Sequence, residues 1–296
     1  MYRDSAVPSI ENHTITPRNM HFAFSADLPR DWHSGEPGIS LFYDALSLTF
    51  PEGERLFIAS GKAYMDEIKN PELQQDAKRF TAQEAIHRRE HAVYNKQLTQ
   101  QGINVDGITR TLERMMDVIL RWTPKKAQLA LTCAFEHYTA QLALLILSDP
   151  RIMKGAHPFY ADLWRWHALE EEEHKSVAYD IYREVMPGWR GYLRRIVVMT
   201  IAGIYLHILL FTIYFIIMAK AGQLTNFRTW GRALNHLFGR PGMWRRLVVG
   251  TLSFYRPGFH PNNHGQGLAA KWRARLNTHT EHTLENSGTL FRNSSQ

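Results

Sequence analysis

The chain has a single cysteine, Cys133, among 296 residues. That excludes a disulfide framework, a Cys-x-x-Cys zinc site and an iron–sulfur cluster. Its opening stretch, MYRDSAVPSIENHTITPRN, lacks the apolar run of a secretory leader, so a cytoplasmic active domain is expected. No alternating run of five or more residues reads as a strand, and no internal repeat or low-complexity tract is present. Acidic residues are scarce towards the C-terminus. From Lys220 onward there are 11 Lys/Arg and two Asp/Glu, so the formal charge of +7 belongs to the tail and the rest is close to neutral. Net positive charge invites a nucleic-acid reading, but no nucleic-acid-binding module is recognisable and no nucleic-acid partner is expected.

Charge is missing altogether from Ile196 to Ala219, 24 residues without Asp, Glu, Lys or Arg, bracketed by Arg194, Arg195 and Lys220. As a helix this stretch would be roughly 36 Å long, enough to cross about 30 Å of hydrocarbon. All its helical faces are apolar, which favours membrane insertion, as a span or a deep hairpin, over a buried core helix. The tail pieces FRTWGRALNHLF and MWRRLVVGTLSFY suit interfacial helices on an anionic surface. The expected location is the cytoplasmic face of a membrane, held through residues 196–219.

What the first 190 residues do contain is helical periodicity. One helix is expected from Ile39 to Ile68, interrupted at Pro51 and Gly53. Pro71 opens a second that runs to Gln100, and a short one lies near Gly107 to Trp122. Thr123 and Pro124 open a fourth that reaches Ser148, and a fifth runs from Pro158 to Val185. The expected divisions are an N-terminal extension (1–38), a helical metal-binding domain (39–189), a hydrophobic helix (190–220) and a basic amphipathic region with a frayed end (221–296).

Two of these helices carry Glu-x-x-His: Glu84 with His87, and Glu171 with His174. Residues three apart share a helix face, so one ion can meet both side chains. Each remaining long helix offers one glutamate among apolar neighbours, Glu54 in FPEGERLFIA and Glu136 in LTCAFEHYTAQLALLIL. A carboxylate in such a setting is costly unless paired or coordinating. The order Glu, Glu-x-x-His, Glu, Glu-x-x-His is that of di-iron and di-manganese carboxylate bundles. The spacing agrees: Glu54 to Glu84 is 30 residues and Glu136 to Glu171 is 35, each the span of a helical hairpin. The expected fold is therefore all-α, a ferritin-like four-helix bundle with a di-metal core, then a long hydrophobic helix and short amphipathic C-terminal helices.

His167 lies on the same face as Glu171 and His174 and is a further candidate ligand. His91, one turn after His87, is expected in the pocket, and with Glu90 is a candidate for acid–base work. His137 is expected away from the metals, and Glu170 or Asp180 is expected to orient a ligand imidazole. A competing pattern is His87-Arg88-Arg89-Glu90-His91, which has the inverzincin form. It would make His87 and His91 zinc ligands and Glu90 the base, but it leaves Glu54, Glu84, Glu136 and His174 without a role.

FPEGERLF, QEAIHRREH, FEHYT, WHALEEEEHKSVAYD and YRPGFHP together resemble the family known as predicted metal-dependent hydrolases, over roughly residues 20 to 265. The resemblance implies a ferritin-like metal site with Glu54, Glu84, His87, Glu136, Glu171 and His174 as ligands. The ligand helices are also similar to those of di-iron arylamine N-oxygenases, which add one histidine.

Two divalent ions are expected, iron by ligand type, with manganese or zinc as alternatives. Carboxylate-rich donors on buried helices favour O2 activation towards a small, lipophilic organic substrate, with an electron donor as partner. The alternative is hydrolysis by a metal-activated water, and a third reading is metal binding without catalysis. Phe57, Leu131, Phe135, Leu142, Trp166 and Val177 are candidate pocket residues. The sequence leaves oligomeric state open.

Overall fold

The computed structural model describes residues 15–275. These residues form α1 (Pro37–Ala63), α2 (Pro71–Gln100), α3 (Asp106–Trp122), α4 (Lys125–Ser148), α5 (Pro158–His174), α6 (Val177–Val185), α7 (Gly188–Lys220), α8 (Phe227–Phe238) and α9 (Met243–Thr251). Two 3-10 turns follow, at Leu252–Tyr255 and Pro261–Asn263. Among the described residues there is no strand, only an isolated bridge between His33 and Ala156. The expected frayed end lies outside the described residues.

Helices α1 and α2 pack as one antiparallel pair and α4 and α5 as another; α4 also crosses α1, so the four enclose one core. Proline opens three of them, at the first-turn position where its missing N–H costs nothing. Asn70 caps α2, its side chain accepting from Glu72 N and Leu73 N.

Three boundaries differ from expectation. Helix α1 ends at Ala63, short of the expected Ile68. Pro51 does not interrupt α1, which runs through it. The carbonyl that Pro51 leaves without its helical donor is that of Ser47, four residues back, and Asn95 Nδ2 of α2 donates to it at 3.1 Å. The long fifth helix is instead two, α5 and α6, joined at Lys175 and Ser176 directly after His174. Lys175 is buried there, its Nζ donating to Glu172 Oε2 at 2.7 Å and to the His264 carbonyl.

Helix α3 lies on the surface, burying only Leu112 and Met116 from its inner stripe. The segment before α1 belongs to the bundle's packing. Arg18 donates to Glu170 Oε1 and to both Glu173 oxygens, the Phe22 N–H donates to Glu90 Oε2, and Phe24 stacks on Tyr94.

Helices α4 and α7 are both long and apolar enough to cross a membrane, but the bundle treats them differently. In α4, 78% of the apolar window is buried, which makes it the central core helix. In α7 the figure is 28%. Its inner side, including Met199, Ala202, Gly203, Leu210, Ile213, Tyr214, Ile217 and Met218, packs on α1 and α4, and Tyr214 Oη donates to the Gly38 carbonyl at 2.8 Å. At Gly203 α7 comes close to α4: a Cβ there would lie 2.7 Å from Tyr138 Oη.

Candidate metal centre

Four helices deliver seven side chains of metal-ligating type to one place: Glu54 from α1, Glu84 and His87 from α2, Glu136 from α4, and His167, Glu171 and His174 from α5. All seven are buried. They form two groups, Glu54–His87–His167 and Glu84–Glu171–His174, the ligand atoms of each within 4.8 Å of one another. Glu136 joins the second, its Oε2 3.6 Å from His174 Nε2. Two carboxylates link the groups. Glu171 Oε1 lies 3.1 Å from His167 Nε2 and 3.7 Å from His87 Nδ1, while its Oε2 lies 3.5 Å from His174 Nε2. Glu84 Oε1 lies 3.0 Å from His174 Nε2 and 3.9 Å from His87 Nδ1.

The hydrogen-bond inventory shows what this cluster is built for. Among the described residues, 16 buried side-chain N and O atoms lack a hydrogen-bond partner, and ten of them belong to these seven residues. Both oxygens of Glu54, Glu84 and Glu136 are among them, with Glu171 Oε2 and one nitrogen each of His87, His167 and His174. Some of these atoms face one another at ion-pair distance, but both oxygens of Glu54, Glu84 Oε2 and Glu136 Oε1 have neither a hydrogen bond nor an ion-pair contact, which is costly in a dry core without a bound group. The donors, four carboxylates and three imidazoles, are those that hold two divalent first-row ions, so the residues fit such a pair.

Each imidazole is aimed by a partner on its other nitrogen. His87 Nε2 meets Glu170 Oε2 at 3.0 Å, and His174 Nδ1 meets Gln83 Oε1 at 2.9 Å. His167 Nδ1 meets His91 Nε2 at 3.0 Å, and the chain continues. His91 Nδ1 meets Ser47 Oγ at 2.9 Å, Ser47 Oγ donates to Asn95 Oδ1 at 2.8 Å, and Asn95 Nδ2 donates to the Ser47 carbonyl. These links fix the tautomers. Ser47 spends its proton on Asn95, so it accepts from His91 Nδ1–H, which leaves His91 Nε2 as acceptor for His167 Nδ1–H. His167 Nε2 therefore presents its lone pair to the cluster.

Electrostatics agree with a site that needs cations. Burial, then the charges of Glu84 and Glu171, push the Glu54 carboxyl well above its ordinary range, and burial and Glu171 do the same to Glu136. Glu84 is pushed up to about 7 by burial, against the pull of His174. Burial also opposes charge on His174, but Glu171, Glu84 and Glu136 together raise it well above the usual imidazole range. Burial drives His87 and His91 well down, reinforced by His167. Burial opposes charge on Glu171 too, but His174 and His167 hold its carboxyl well below the ordinary range, so without bound cations only Glu54, Glu84 and Glu136 hold protons more readily than free carboxylates.

The run Glu170 to Glu173 is wholly buried, and its members fan out around the helix to different partners. Glu171 enters the cluster, Glu170 holds His87 and Arg18, Glu173 holds Arg18 and accepts from Gln83, and Glu172 holds Lys175. Arg18 and Gln83 gave no signal in the sequence, because neither belongs to a ligand pattern. Other expected residues lie elsewhere. Glu90, expected as an acid–base group, faces the N-terminal segment: its Oε2 accepts from Phe22 N at 2.9 Å and its Oε1 from Arg89 Nε at 2.8 Å. His91 has both nitrogens engaged, Nδ1 on Ser47 and Nε2 on His167, which leaves the inverzincin pattern without its second zinc ligand. Asp180 pairs with His260 at 2.9 Å, and His137 lies against Phe254, Phe259 and Ser253, both off the cluster.

A cavity of about 950 Å³ of empty space, counting its mouth, opens onto Glu54, His167 and Glu171. Its walls are apolar: Leu46, Phe50, Phe57, Phe135 and Leu142 inside, then α3 and α7 further out. Of the expected pocket residues, Phe57, Phe135 and Leu142 line it, while Leu131, Trp166 and Val177 do not.

The family described as "Predicted metal-dependent hydrolase" matches over residues 16–265. The chain belongs to this family. The match takes in all seven cluster residues, the Arg18 clamp and the helices that form the cavity. No curated protein and no solved structure matches the chain.

Proposed function

We propose that this family member is a two-metal hydrolase acting on an ester or amide carried by an apolar substrate. The observation that carries the reading is the set of ten buried polar atoms without a hydrogen bond, on seven converging side chains beside an apolar cavity. A bound pair of divalent ions would supply Lewis acidity for the carbonyl and an acidified water as nucleophile. Glu54, His87 and His167 would hold one ion and Glu84, Glu136 and His174 the other, with Glu171 available to either. Glu170, Gln83 and His91 keep the imidazoles aimed, so little reorganisation accompanies metal binding. The cavity walls select an apolar acyl group and keep bulk water away from the reacting bond. Among the described residues, the cavity lining holds no carboxylate or imidazole outside the cluster except Glu52, which pairs with Arg55 and Arg88, so the cluster carboxylates would be the groups to take up a proton.

The test is turnover of acyl esters under strict anaerobiosis after loading with zinc, manganese or iron. Hydrolysis abolished by chelation and by Glu136→Ala supports the reading. A metal-loaded protein that is inert anaerobically overturns it. The O2-activating reading has one specific support, the hard, carboxylate-rich donor set on buried helices, which suits iron. Oxygen uptake by the ferrous protein without ester hydrolysis would favour it.

A further inference from the structure

The outer side of α7 reverses the usual polarity of a surface helix. At spacings of three, four and seven residues it presents Val197, Ile201, Ile204, Ile208 and Phe215, which are 50–64% exposed. Tyr205 and Ile216 widen the stripe, and between Val197 and Ala219 nothing charged interrupts it. Exposed Arg190 and Arg194 close it at one end and Lys220 at the other. A contiguous apolar surface of this kind marks an interaction site. The inner side of the same helix is packed on α1 and α4, so α7 cannot thread a bilayer without carrying the bundle and its buried carboxylates with it. The stripe meets its partner side-on.

Charge decides the partner. From residue 185 to residue 280 the chain holds 13 Lys/Arg and no Asp or Glu. Trp189 and Phe227, 69% and 88% exposed, stand just beyond the two ends of the stripe, where interfacial aromatics sit on lipid-bound helices. A second copy would bring the same cationic surroundings and be repelled, whereas anionic headgroups beside acyl chains satisfy both the basic rim and the apolar stripe.

The stripe also borders the mouth of the cavity. Tyr205 belongs to both: it is exposed on the stripe, it lines the cavity with Leu206 and Leu209, and its Oη approaches Met115 Sδ of α3 at 3.8 Å. Leu112, Met115, Met116 and Ile119 form the facing wall.

We propose that the outer stripe of α7 seats the protein on an anionic lipid bilayer, and that lipid-borne acyl esters pass from the bilayer to the metal centre between α3 and α7. The bilayer contact stands on the stripe and the charge alone; the ester rests on the hydrolase reading. The experiment separates them. Flotation of the full chain with phosphatidylcholine vesicles, with and without phosphatidylglycerol, reads docking with no turnover needed. Binding is expected to the anionic vesicles, to weaken with salt, and to fall by roughly a hundredfold in Ile204→Asp/Ile208→Asp, since both charges would enter the apolar layer. Both side chains are exposed, so helical content should be retained, and Thr200→Asp on the same helix serves as a second variant if it is not.

Equal binding by wild type and double variant overturns the proposal. So does absence of vesicle binding together with self-association that the double variant abolishes, which would make the stripe a contact between copies. For passage, Leu209→Trp should slow hydrolysis of a vesicle-embedded long-chain ester at least tenfold more than that of a short soluble one. Equal slowing of both overturns the route. Vesicle binding without hydrolysis of any ester sinks the hydrolase reading and leaves docking intact.

Discussion

Replacing His91 by phenylalanine tests whether the relay through His91 sets the metal-binding face of His167. Phenylalanine keeps the ring's bulk against Phe50, Tyr94 and Trp164 but removes both nitrogens. His167 Nδ1, now 3.0 Å from an acceptor, would be left buried without one. An orphaned buried donor costs about 1–3 kcal/mol. The loss appears first as lower stability of the metal-free protein. The second effect is on the metal. With Nδ1 unpartnered, the tautomer protonated on Nε2 becomes competitive, and it offers the cluster a proton instead of a lone pair. Loss of such an orienting partner lowers metal affinity by about 10- to 100-fold. Only the group containing His167 should be affected, because His174 is held independently by Gln83. Titration against a chelator should therefore show one ion bound as in wild type and one released early. His91→Gln, which can still accept from His167, should fall between the two. Two ions bound with wild-type affinity in His91→Phe would refute the relay and remove His167 from the ligand set.

Three further outcomes follow from other parts of the fold. Loading with a divalent ion at about a hundred times its dissociation constant should stabilise the protein by about 2.7 kcal/mol, visible as a higher Tm that a chelator reverses; an unmoved Tm would mean that the ten atoms without a hydrogen bond do not bind metal. Asp44 is fully buried, accepts from Tyr94 Oη at 2.6 Å and Trp32 Nε1 at 3.1 Å, and burial pushes its carboxyl up to about 7. Its folded pKa exceeds its unfolded one, so its contribution is fully present below about pH 4 and is lost as pH rises to about 7, on the order of 4 kcal/mol. Asp44→Asn should flatten that part of the pH–stability curve, read by denaturant unfolding, and a curve unchanged in slope would contradict it. Gly203→Val should cost about 1–3 kcal/mol by overpacking Tyr138 Oη, 2.7 Å from the new Cβ; a neutral effect on Tm would show that α7 is not held against α4 there.

Much of the centre was legible before any coordinates. The two Glu-x-x-His pairs and the lone glutamates on the other two helices are a pattern of period and order, and helix geometry converts that order directly into convergence. The four-glutamate run was less legible. Read along the chain, Glu170 to Glu173 looks like a solvated face, since nothing local distinguishes Glu171 from its neighbours. Four successive residues point in four directions around a helix, and what each meets depends on other segments: the cluster, Arg18, Gln83 and Lys175. Glu90 and His91 show the same limit. Both sit one turn from a ligand, yet one faces the N-terminal segment and the other the ring of His167.

The sequence by itself determined most of the helices, the residues that converge in the cluster and the asymmetry of charge, because periodicity, spacing and composition are local quantities that survive without knowledge of the partners. It also determined that residues 196–219 must meet something apolar. Only the tertiary structure decided which side of that helix is spent on the bundle and which is left outward. It likewise decided which nitrogen of each histidine faces the cluster, and that the cavity opens beside the outward stripe. Those features depend on contacts between residues far apart in the chain, and neither hydropathy nor spacing encodes them.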